Sequence, residues 1–139
     1  MTALTAPHPG EHELAPEVLA RRSLGLDAAF CTAVGSFAVV AAGPVGRAVA
    51  LPAPVVRTAG VAAIGWGGVV GLWSVAEDWQ PPTRRVLGAN ALGAAALVGH
   101  AAVKGTRGGR VGVLVLAAAV TGFAGSQLKA LLAAEPSSS

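Results

Sequence analysis

Eighteen consecutive residues, Val86 to Val103, contain no Lys, Arg, Asp or Glu, and this run limits the chain more than any other feature. It reads VLGANALGAAALVGHAAV, with Arg84 and Arg85 before it and Lys104 and Arg107 after it. A helix rises about 1.5 Å per residue, so the run spans ~27 Å, close to the hydrocarbon thickness of a bilayer. Backbone groups in hydrocarbon must bond to one another, and a helix does this within a single segment. Three other stretches share the character, and together they predict spans at roughly 23–43, 55–76, 85–103 and 111–134. Joined by short loops, they predict an all-α fold, a transmembrane antiparallel four-helix bundle.

The charge content agrees with this. Only 12% of the 139 residues are charged and 53% are hydrophobic, too little charge for the solvated shell of a soluble domain. The net charge of +3 comes from basic residues at the ends of apolar runs, where they anchor helices and set topology. No basic patch is interleaved with aromatics, so no nucleic-acid partner is expected. Cys31 is the single cysteine, which excludes an internal disulfide and paired-thiol chemistry. It reads as a small core residue with no base near it. No cofactor and no structural metal are expected.

Residues 1–20 read as a flexible polar tail ending in a helical turn around Pro16–Ala20, with no signal-peptide pattern. His8 and His12 with Glu11 and Glu13 could bind a metal weakly, but a solvated tail is the expectation. The first span follows Arg21 and Arg22 and ends at Gly43-Pro44; Asp27 is its only charge, about a turn inside. Residues 44–54 read as an interfacial loop around Arg47. In the loop EDWQPPTRR, residues 77–85, Pro81-Pro82 predicts a rigid turn and Thr83 an N-cap. Trp73 and Trp79 mark the interface there. The loop KGTRGGR, residues 104–110, is glycine-rich and basic. Residues 135–139 read as a disordered tail.

An even number of spans puts both termini on one side. That side carries Arg21, Arg22, Arg84, Arg85 and Lys129; the other carries Arg47, Arg57, Lys104, Arg107 and Arg110. The count is tied, and the Arg21-Arg22 pair abutting the first helix favours cytoplasmic termini in the cell membrane.

Small residues recur at helical spacing and predict close helix packing at Gly67, Gly71 and Gly122, within the bundle or along a homo-oligomer seam. Polar residues at similar depth predict a layer formed by Asp27, Ser74, Asn90, Ser126 and Gln127, because each is costly facing lipid. Asp27 and Asn90 are expected to point inward and approach one another. His100 is a second candidate, as a proton relay or as a packed donor near the interface. No Ser-His-Asp order, phosphate loop or paired carboxylate occurs, so no enzyme is expected.

RRSLGLDAA opening the first span, VLGANAL opening the third and TGFAGSQLKALL closing the fourth resemble motifs of small four-helix integral membrane proteins common in actinobacteria. Their arrangement loosely resembles DoxX-type four-helix proteins. The resemblance covers about Arg21 to Leu132 and implies the architecture and no reaction; where members often carry an aromatic after NAL, this chain has Gly93. The function expected is that of a structural or interaction protein, an accessory subunit in contact with membrane lipids and with a homo-oligomer or membrane protein partner. The alternative is an oligomeric carrier or channel for a small solute or a proton.

Overall fold

The computed structural model describes residues 14–135. The tail at residues 1–13, with the weak metal site expected at His8, Glu11, His12 and Glu13, lies outside the described residues, as does the tail at 136–139. Five helices follow one another: α1 Pro16–Val40, α2 Ala42–Val49, α3 Ala53–Ser74, α4 Gln80–Val103 and α5 Arg107–Ala134. All but α2 are long and apolar enough to cross a membrane. They pack against one another as an antiparallel bundle, and the chain is a multi-pass membrane protein. Among the described residues there is no strand.

Several boundaries differ from the sequence reading, each for a local reason. The turn expected at Pro16–Ala20 is continuous with the first span, so residues 16–20 belong to α1. Proline is tolerated there because the first helical N–H groups have no partner within the helix. The same rule corrects the second loop. Pro81 and Pro82 stand in the first turn of α4. Thr83 is therefore inside the helix, not its N-cap, and its hydroxyl donates to the Trp79 carbonyl at 2.6 Å. The loop expected from Pro44 is mostly the short helix α2, whose Pro44 again falls in a first turn. The glycine-rich loop also ends early: Thr106 caps α5, its Oγ1 accepting from Gly109 N at 3.1 Å.

The bundle is built from two close pairs, α1 with α3 and α4 with α5, joined mainly along α1 and α5. The α1–α3 seam is tight because glycines face each other. A Cβ on Gly35 would lie 2.6 Å from the Gly60 carbonyl oxygen, and one on Gly60 would lie 2.7 Å from that of Gly35. A Cβ on Gly67 would lie 2.6 Å from Thr32 Oγ1. Leu24, Ala28, Val70 and Val86 form the apolar core beside Trp66 and Trp73, whose rings meet edge to face at 5.9 Å. Large apolar side chains such as Leu26, Phe37, Leu72 and Leu92 point outward. On a soluble monomer such a surface is unusual; on a membrane bundle it faces lipid.

Candidate functional site

Asp27 lies on the inner face of α1 with Leu24, Ala28 and Cys31, at the three- and four-residue spacing of one helix side. It stands eleven residues from the start of α1 but only five beyond Arg22. Asn90 follows Thr83 and Val86 on the buried side of α4. Gln127 belongs to the buried side of α5 with Ala130 and Leu131. Because α1 and α4 start, and α5 ends, at the same end of the bundle, the three side chains meet at one depth.

The structure brings them into hydrogen-bonding contact. Asn90 Nδ2 donates to Asp27 Oδ2 at 2.6 Å. Gln127 Nε2 donates to the same oxygen at 3.3 Å, and Asn90 Nδ2 also reaches Gln127 Oε1 at 3.4 Å. Cys31 Sγ donates to Asp27 Oδ1 at 3.5 Å. Asp27 and Gln127 are fully buried and Asn90 is 5% exposed. Amide and thiol groups thus supply donors to an acceptor-rich carboxyl group. No described Lys or Arg is among the hydrogen-bond partners of Asp27. No buried side-chain nitrogen or oxygen among the described residues lacks a partner.

The other expected members of the layer fall elsewhere. Ser126, one residue before Gln127, pairs instead with Ser23, the two hydroxyls 2.6 Å apart, and donates to the Phe123 carbonyl at 2.8 Å. Ser74 is outside the layer. Its hydroxyl donates to the Gly71 carbonyl at 2.7 Å, within reach of a short side chain one turn on. The Ser74 carbonyl accepts from Arg21 Nη1 at 3.0 Å, so Arg21 helps cap α3. Arg85 lies over the Trp73 ring at 5.9 Å.

Two residues join the polar contacts beyond the expected five. Ser23 lies one turn before Asp27 on the same face. Cys31 lies one turn after it on that face, so its thiol reaches the carboxylate. Cys31 is half-buried.

At the opposite end, the last carbonyls of α2 are met by the α4–α5 connection. His100 Nε2 donates to Val49 O at 2.8 Å, so His100 is a packed donor in this structure. Ala48 O accepts from Thr106 N at 2.8 Å and from Thr106 Oγ1 at 3.2 Å. Gly105 adopts φ +95°, and a Cβ on Gly109 would collide with Ala48 O, so these glycines admit the α2 end.

The expected packing glycines separate. Gly67 lies in the seam and Gly71 makes only an ordinary approach, 3.7 Å from its would-be Cβ to that of Ala28. Gly122 is not a packing residue within the chain: nothing lies within 4 Å of a Cβ there, because α5 turns the face of Val113, Ala117, Gln127 and Ala130 inward instead.

Among the described residues no group of three His, Cys, Asp or Glu side chains stands together to hold a metal. Compared with protein families, curated proteins and solved structures, the chain matches none.

Proposed function

We propose that the protein is a structural or interaction protein of the cell membrane, an accessory subunit that catalyses no reaction of its own. The observation that carries this reading is the closure of the polar layer. Asp27, Asn90 and Gln127 bond to one another and are sealed from the surface. Such a layer fixes the register of α1, α4 and α5, since sliding one helix by a turn would leave polar groups unmatched in an apolar interior. Outward glycines support the interaction role. Gly65 and Gly68 on α3, like Gly122, have nothing within 4 Å of a Cβ, so a partner helix can approach their backbone closely. The likeness to small actinobacterial four-helix proteins and the cytoplasmic termini favoured by Arg21-Arg22 belong to the same proposal.

A carrier or proton channel is the second reading. It is favoured by one observation, a buried acid at membrane depth held by neutral groups alone. Proton flux in proteoliposomes separates the two. Flux equal to that of empty vesicles, together with capture of a membrane partner that is lost in Gly65→Leu/Gly68→Leu, supports the interaction role. Flux that disappears in Asp27→Asn overturns it.

A further inference from the structure

An open apolar depression lies beside α2. A cleft of about 570 Å³ opens between α1, α2 and α5, with Ala33, Phe37 and Gly112 among its lining residues. A second, of about 310 Å³, reaches past Gly35 and Gly60 to Leu97 and His100. The two share Val34, Ala38, Val45, Val49, Val113 and Leu116, so they are parts of one apolar space. Both volumes fall within the roughly 300–1,000 Å³ of small-molecule sites. Of the side chains that line them only His100 is polar, and its Nε2–H is already bonded to Val49 O. A polar occupant would leave its own groups unmatched there, whereas a hydrocarbon chain would not.

One end of this space has the opposite chemistry. There the end of α2 meets the start of α5, Ala48 against Gly109, and the neighbouring residues Arg47, Arg107 and Arg110 are cationic. All three arginines are exposed. With Arg57 and Lys104 they give this end of the bundle five cations, and residues 41–58 and 97–115 contain no Asp or Glu. Glu17, Glu77, Asp78 and Glu135 all lie at the other end.

We propose that this end binds an anionic phospholipid, with one acyl chain in the cleft beside α2 and the headgroup phosphate among Arg47, Arg107 and Arg110. The charge beside the cleft and its apolar lining call for an amphiphile with a negative head. Phospholipid in the leaflet around that end supplies both parts without leaving the bilayer. Guanidinium groups suit phosphate oxygens because they present paired donors. The inference stands apart from the polar layer and from the interaction role, since neither supplies its residues.

The test is native mass spectrometry of the full-length protein, delipidated in uncharged detergent. It is titrated with phosphatidylglycerol, with phosphatidylcholine of the same acyl chains, and with inorganic phosphate. Phosphatidylglycerol should bind more tightly than phosphatidylcholine, and phosphate alone should not bind. Near a membrane surface each Lys or Arg is worth about fivefold in affinity for anionic lipid, so Arg47→Gln/Arg107→Gln/Arg110→Gln should weaken phosphatidylglycerol by about 100-fold and remove the preference. Arg22→Gln/Arg84→Gln at the other end should leave it unchanged. Gly112→Leu fills the cleft at a position with nothing within 4 Å of a Cβ and should block both lipids while the helical circular dichroism is retained. Equal binding of the two lipids, a preference that survives the triple substitution, or binding untouched by Gly112→Leu would each overturn the proposal. So would a protein dimer, without lipid, that Gly112→Leu breaks.

Discussion

Replacing Gly35 by alanine should destabilise the protein, although alanine is the better helix former. The added Cβ would stand 2.6 Å from Gly60 O, 2.9 Å from Ile64 Cγ1 and 3.0 Å from Ile64 N. Two of these atoms are backbone, so no side-chain rotation relieves them. To reach ordinary contact at 3.4 Å, α1 and α3 must part locally by about 0.8 Å. A gap of that size forfeits roughly a quarter to a half of each dispersion contact across it. Overpacking of this kind costs about 1–3 kcal/mol, against a gain of up to ~1 kcal/mol from exchanging glycine for alanine in a helix. The net expectation is a loss of up to about 2 kcal/mol, which leaves Gly35→Ala about 1–3 kcal/mol below the Gly65→Ala control. Gly65→Ala provides the control: nothing lies within 4 Å of its Cβ, so it keeps the propensity gain without the clash. The contact is reciprocal, because a Cβ on Gly60 meets Gly35 O. Once one alanine has parted the helices, the second costs less, and the double variant should fall short of the sum. Thermal unfolding in detergent, followed by far-ultraviolet circular dichroism, compares the wild type, the three single variants and the double variant. A Gly35→Ala protein as stable as Gly65→Ala would refute the seam.

Three further outcomes are expected. Asn90→Ala removes the shortest bond to Asp27 and should cost about 1–3 kcal/mol; in a double-mutant cycle with Asp27→Asn, detergent unfolding should show coupling of roughly 0.5–3 kcal/mol, and strict additivity would argue against the contact. Gly109→Ala should destabilise the α2 end by about 1–3 kcal/mol through the collision with Ala48 O, and Thr106→Val by about 1 kcal/mol through the lost cap; hydrogen exchange across 46–51 should quicken, and unchanged protection would contradict the docking. Cysteines placed at Thr5 and Ser138 in a Cys31→Ala background should react with an impermeant reagent from the same side of sealed vesicles, and labelling from opposite sides would end the four-span topology.

The four spans were legible because membrane length and charge-free runs are properties of composition along the chain, independent of tertiary packing. The meeting of Asp27 with Asn90 was legible for a similar reason: antiparallel geometry assigns a depth to each residue, and polar groups of equal depth in lipid seek one another. Rotation about a helix axis was not legible to the same degree. In α5 two small faces compete, and the packed one carries Ala117 and Gln127 instead of Gly122. Ser74 shares the right end of the bundle, but its hydroxyl is satisfied within its own helix. Prolines were the other source of error. Pro44, Pro81 and Pro82 read as breaks, yet each sits in a first turn where a missing N–H costs nothing. The role of residues 104–109 could not be read locally, since their partner, Ala48, is 58 residues away from Thr106.

The polar layer also sets a problem of timing. Asn90 is 63 residues downstream of Asp27, and Gln127 is 100. A ribosome delivering this chain hands α1 and its acid to the membrane while both amides are still unmade. An acid at a helix centre costs roughly 2.5–3.5 kcal/mol on insertion scales, and less toward the interface. The nascent α1–α3 hairpin therefore has a reason to wait at the translocon, or to rest shallowly, until α4 and α5 emerge. A chain arrested after α3 presents an unmatched carboxyl group to the bilayer, and that defect distinguishes an unfinished copy from a complete one for any membrane protease that samples it.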